Sequence, residues 1–287
     1  MSELSVGAAG RGRGTAFGPL FYLAILLVLL LLGMAVAAPL LAPQDPTAQD
    51  LNERFLPPGS PGHLLGTDDF GRDVLSRVMY GARSALLVGV IAVSVALSIG
   101  LVVGLLAGLA EGVTDNTLMI LMDGVLSFPT VLLAITVVSV FGYGLVQVML
   151  ALGVIFSPLF ARTVRAEALA IKAESYVESS RALGSPLWKT VLLHVLPNML
   201  PKVIVLMSTT FALSVAIEAS LSYLGLGTQP PEPSWGLMLK DARSYLTRAP
   251  WLAIYPGLAI ALTVFSFNVI GDTLSEQLNP ILRRRRT

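Results

Sequence analysis

Charged side chains are missing from long stretches of this 287-residue chain. None occurs between Phe21 and Ala38, between Ser84 and Ala110, or between Trp251 and Gly271. Runs of this length match the roughly 20 apolar residues that a helix needs to cross a bilayer. Three more segments have the same character. Leu118–Val140 carries one charge, Asp123, and Leu145–Ala161 carries none. The segment from about Leu200 to Leu221 has an uncharged centre, Val203–Ile217, with Lys202 snorkelling at one end and Glu218 at the other. The expected fold is therefore an all-α membrane protein with six transmembrane helices. Only 13% of residues are charged, about half the fraction in a soluble domain.

The first run imitates a secretory signal. Arg11 and Arg13 precede it and Ala35-Val36-Ala37 lies near its end. The run is longer than a usual signal core and further spans follow, so an uncleaved first helix is expected. Six spans put both termini on one side. Eleven Lys and Arg then fall on that side and seven on the other, and the tail ends in four arginines, Arg283–Arg286. The positive-inside rule makes the first side cytoplasmic. The arginine tail reads as a topology anchor that can touch anionic lipid. The net charge of +1 gives no reason to expect a nucleic-acid partner.

On the cytoplasmic side the loop 162–199 holds the most informative segment. Glu174 to Leu183 reads as a short helix that Gly184 stops in a left-handed conformation. Ser185 is a good N-cap and Pro186 suits a first helical position. Leu187, Val191, Leu192 and Val195 then recur at helical spacing until Pro197. The expected shape is helix, sharp turn, helix, suited to a cleft on another protein.

This segment resembles the cytoplasmic loop of importer-type ABC permeases, E-A-A-x-x-x-G followed after nine residues by I-x-L-P. Here it reads Glu178-Ser179-Ser180, Gly184 and His194-Val195-Leu196-Pro197, with Ser-Ser for Ala-Ala and His194 for Ile. A second segment, Gly66-Thr67-Asp68, Gly71-Arg72-Asp73 and Ser76-Arg77, resembles the peptide and nickel branch of the same family. The loop from Ser222 to Met238 resembles its C-type subunit. The resemblance implies the type I importer transmembrane fold and a permease subunit for di- or oligopeptides, or for nickel or another small solute. Its coupling loop would be Glu178, Ser179, Ser180, Arg181, Ala182, Leu183, Gly184, Ser185, Pro186 and Leu187. The implied partners are a homologous B-type permease, two ATPase subunits that carry ATP and Mg, and an extracytoplasmic peptide-binding protein. The corresponding division is a basic tail at 1–19, a first helix and a periplasmic segment with an interfacial helix at 20–83, a permease core at 84–276 and a basic tail at 277–287.

The chain itself offers little chemistry. Gly184 to Thr190 imitates a phosphate-binding loop but lacks its second glycine and is one residue short. No cofactor is expected here, no metal site, and no catalytic residue. Cysteine is absent, and His63 and His194 fall on opposite sides. An intramembrane hydrolase and a passive channel are the rivals from other classes. Thr67 is expected to cap a helix, with Asp68 and Asp69 complementing its dipole. These aspartates with Asp73 could alternatively hold a hard cation. Gly100, Gly104 and Gly108 fall on one helix face, as a packing seam or as generic membrane-helix glycines. Asp123 and Glu218 are candidates for the substrate path, or for structural bonds to a neighbouring loop.

Overall fold

The computed structural model describes residues 18–110, 112–182, 184, 186, 189 and 191–278. The tail residues 1–17 and 279–287 fall outside these, as do Leu183, Ser185 and Leu187 of the expected coupling loop. Helices make up nearly all of the regular structure. They are α1 (Pro19–Leu41), α2 (Val74–Leu109), α3 (Val113–Leu126), α4 (Thr130–Phe141), α5 (Leu145–Lys172), α6 (Ser175–Ala182), α7 (Leu196–Tyr223), α8 (Trp235–Ala242) and α9 (Trp251–Leu278). A π-helical turn, Val191–Val195, leads into α7. Among the described residues α1, α2, α5, α7 and α9 are each long and apolar enough to cross a membrane, and α3 with α4 can form a sixth, broken crossing.

That broken crossing differs from the straight third span expected from the sequence. The two halves meet at a 91° bend. Pro129 causes it. A proline disfavours helical geometry in the residue before it, and Pro129 itself is extended at ψ 126°.

The helix α5 is the centre of the packing. In its most apolar window 61% of residues are buried, against 17% in α1 and α9, which lie at the edge. The small-residue seam of α2 meets α5. A Cβ on Gly104 would lie 2.6 Å from the Ala161 carbonyl oxygen, and one on Gly108 would lie 2.7 Å from Ala168 Cβ. The seam is therefore a contact within the chain, made possible because glycine lets two backbones approach. On the other side of the core, Phe211 of α7 stacks on Phe267 of α9 with centroids 3.8 Å apart.

Residues 42–73 and 224–250 cap one end of the bundle. Asp73, not Thr67, caps α2, accepting the Ser76 amide at 2.7 Å. Thr67 is engaged elsewhere: its hydroxyl donates to the Glu53 carbonyl and accepts the Leu56 amide. Asp68 is paired with Arg72 at 2.6 Å and faces Arg77 at 3.6 Å. Gly71 sits at φ +73° where a Cβ would strike the backbone of Asp50. The stretch read as an irregular loop contains α8, which Ser234 caps by accepting the Leu237 amide. Pro197 does not end a helix. It falls in the first turn of α7, where no proline N–H is needed.

Candidate functional site

At the end of the bundle opposite the cap, α5 runs on past Ala161 to Lys172 and turns directly into α6. Val177 of α6 is buried beside the buried Ile171 and Val195, which anchors the base of the hairpin. Tyr176 packs edge-on against His194, with centroids 5.2 Å apart. The tip is different: Ser179, Ala182, Gly184, Pro186 and Lys189 are exposed. Gly184 has φ +83° and empty space where a Cβ would go. The helix continues through Glu178, Ser180 and Arg181, whose side chains lie outside the described set. The chain thus presents a short helix and a left-handed turn on a buried base.

Charged pairs brace the neighbouring helix ends. Arg165 of α5 grips Asp115 of α3 with two hydrogen bonds, at 2.5 and 2.6 Å. Asp123 accepts from Arg162 at 2.5 Å, and both side chains are about half exposed, 54% and 52%. Lys202 of α7 pairs with Glu167 of α5. Asp123 therefore belongs to the hairpin end, held to α5.

Glu218 sits at the other end of α7 and is 2% exposed. Ser222, one turn further along, donates its hydroxyl hydrogen to Glu218 Oε1 at 2.6 Å. The Ser234 and Thr228 side chains lie near the same carboxyl, and the Thr228 hydroxyl makes no hydrogen bond of its own among the described residues. Asp123 and Glu218 are not brought together. The sequence reading missed Ser222, Thr228 and Ser234 as neighbours of Glu218. Only the i, i+4 spacing of Glu218 and Ser222 signals any of this in advance.

In the cap, His63 is buried between two carboxylates. Its Nδ1 lies 3.0 Å from Asp73 and its Nε2 lies 3.0 Å from Glu53. Burial pulls the imidazole pKa down, but the bonds to Asp73 and Glu53 outweigh it and leave it raised. Asp241 of α8 faces Arg72 at 3.7 Å, and burial raises its carboxyl despite that cation. Asp68, Asp69 and Asp73 thus face arginines and a helix start. Among the described residues no group of three or more His, Asp or Glu side chains is placed to hold a metal ion.

This architecture matches known proteins. Residues 100–284 fit the model of a family described as the binding-protein-dependent transport system inner membrane component. The chain belongs to that family. Residues 18–58 of the permease fit a second model, the N-terminal TM domain of oligopeptide transport permease C. The glutathione transport system permease protein GsiD of Pectobacterium atrosepticum is 42% identical over 258 residues, 90% of this chain and 86% of that one. A putative peptide transport system permease protein of Brucella suis is 37% identical over 263 residues, covering 92% and 88%. Among solved structures, the inward-facing MetNI methionine ABC transporter aligns with TM-score 0.59 at 20% identity, over 71% of this permease and 96% of that chain. That likeness establishes the fold. The permease is a multi-pass inner-membrane transport component, with the type I importer architecture expected from its motifs.

Proposed function

We propose that this permease is the C-type subunit of an ATP-driven importer for di- or oligopeptides. It forms half of the translocation path with a homologous B-type permease. Two ATPase subunits holding ATP and Mg dock against the hairpin of α6 and Gly184, and an extracytoplasmic peptide-binding protein delivers the solute to the capped end. ATP hydrolysis resides in those partners. Both termini and the hairpin are cytoplasmic, and the coupling residues run from Glu178 to Leu187. The core covers residues 84–276, with the first helix and external segment at 20–83.

The observation that carries this reading is the hairpin: an exposed turn on a buried base, continuous with two spanning helices, α5 and α7. A helix end rigidly joined to a span can pass a displacement to it, whereas a loose loop would absorb it. The names of the relatives support peptides as the solute class.

Affinity purification of this chain from its native membrane tests the proposal. A second permease and two ATPase chains are expected to come with it. In proteoliposomes with the binding protein, ATP should drive uptake of a labelled di- or tripeptide. Recovery of the chain without an ATPase, or uptake that persists without ATP, would overturn it. Uptake of nickel in place of peptide would move the solute to the other branch of the family.

A further inference from the structure

Glu218 has no task in the coupling scheme so far, yet its burial is expensive. A carboxyl taken out of water costs free energy unless its surroundings repay it. Here the groups around it are hydroxyls, of Ser222, Thr228 and Ser234. An apolar side chain would fill the same space at lower cost. The carboxyl is therefore worth examining for what it holds.

It holds a loop. The Ser222 hydroxyl that donates to Glu218 also accepts the Thr228 amide at 3.1 Å. Gly225 and Leu226 return their amides to the Ser222 and Leu221 carbonyls, each at 2.9 Å. The loop lies directly on α7: a Cβ on Gly227 would come within 3.1 Å of Ser222 Cα, and one on Gly236 within 2.8 Å of Ala219 Cα. From there the connection passes to α2. Pro233 accepts from the Ser84 hydroxyl at 3.2 Å, and the Trp235 indole donates to the Val78 carbonyl at 3.0 Å. The other end of α7 follows directly on the hairpin. Leu196 and Glu218 are about 33 Å apart along the axis at about 1.5 Å per residue. Past Pro201 no proline interrupts the helix.

We propose that Glu218 is a positioning residue that fastens the loop 224–234 and α8 to α7. A displacement delivered at the hairpin then reaches the far end of the permease as one body. This rests on the coupling reading above. The carboxyl acts through Ser222: it fixes the hydroxyl rotor, and the fixed rotor holds the Thr228 amide.

Hydrogen exchange on the assembled importer in lipid nanodiscs tests the fastening. Glu218→Ala is expected to speed exchange of the Thr228 amide by about tenfold or more, as for the loss of a buried hydrogen-bonded support. Glu218→Gln keeps an acceptor oxygen for Ser222 and should change it less than about threefold. Ser222→Ala, which leaves the carboxyl in place, should reproduce the rise and covers the case in which Glu218→Ala does not fold. In the same preparations, ATP turnover stimulated by the solute-loaded binding protein should fall about tenfold in Glu218→Ala, with KM for ATP within about twofold, and survive in Glu218→Gln. Unchanged exchange in both Glu218→Ala and Ser222→Ala overturns the fastening. Equal losses in Gln and Ala would mean that charge, not placement, matters, and would also overturn it. Faster exchange with undiminished stimulation removes the transmission role. If the wild-type complex carries no ATPase, the coupling reading fails, while the exchange arm still reads the fastening.

Discussion

Gly104→Ala and Gly33→Ala are the same chemical change at two helix positions, and the structure separates their consequences. In a helix, alanine is favoured over glycine by about 1 kcal/mol. Gly33 on α1 has nothing within 4 Å of a built Cβ, so this gain stands alone there. At Gly104 the new methyl would sit 2.6 Å from the Ala161 carbonyl oxygen and 2.7 Å from Val164 Cβ. One neighbour is backbone and the other a branched carbon, so neither can swing aside. Overpacking of this kind costs about 1–3 kcal/mol. The propensity term is common to both variants and cancels in their difference. The expected separation is therefore the steric cost alone, about 1–3 kcal/mol in favour of Gly33→Ala. At about 2–4 °C per kcal/mol for a chain of this size, the unfolding midpoints should differ by roughly 2–12 °C. Thermal unfolding of the purified permease, followed by tryptophan fluorescence at one scan rate, measures this. If the two variants shift together, α2 and α5 do not approach at Gly104, and the packing centred on α5 is wrong.

Three further outcomes follow from other parts of the molecule. Gly184→Pro cannot keep φ +83°, because the ring fixes φ near about −65°. In the assembled importer it should uncouple ATP hydrolysis from uptake, as should Ala182→Trp at the exposed tip; normal uptake in both would refute docking at the hairpin. Trp235→Phe removes the indole bond to the Val78 carbonyl, which keeps its bond in the ladder of α2, at a cost of about 0.5–1.5 kcal/mol in thermal unfolding. His63 gives a pH dependence: burial lowers its pKa, but Asp73 and Glu53 outweigh that and leave it raised. An unfolded histidine titrates near about 6.5, so the stabilisation is complete below that and lost as pH rises through the higher folded value. Protection of cap amides against hydrogen exchange should fall over that window and lose the dependence in His63→Gln.

What could be read from the chain alone was whatever depends on neighbours in sequence. Apolar runs mark spans because lipid demands them over a fixed length. Gly184 marked a left-handed stop because few other residues take that conformation cheaply. The helix start at Thr67 was misread because Thr-Asp-Asp carries the signature of a cap, while Asp73-x-x-Ser76 carries a competing one. The competition was settled by Glu53 and Leu56, which engage the Thr67 hydroxyl from more than ten residues away. Pro129 was in view, but the apolar run around it has the composition of one unbroken span. Asp123 and Arg162 are 39 residues apart, and no local pattern joins them. For Glu218, its place near one end of a span was legible and its neighbours were not, since two of the three come from the loop after that span.

The contrast between α7 and the bent pair then has a mechanical meaning within the coupling reading. On α3, both Asp115 and Asp123 are bound to α5, through Arg165 and Arg162. A push on the hairpin that moves α5 must carry α3 with it. Beyond Pro129, α4 meets α3 at a bend but packs on α5 itself, with Ala134 and Val138 fully buried. The same push enters α7 below Pro201 and meets no such break before Glu218. The bent pair is thus carried by its contacts with α5, whereas α7 carries a displacement along its own axis to Glu218, the loop beyond it and α8, so that one push at the hairpin reaches both the core and the far end of the bundle.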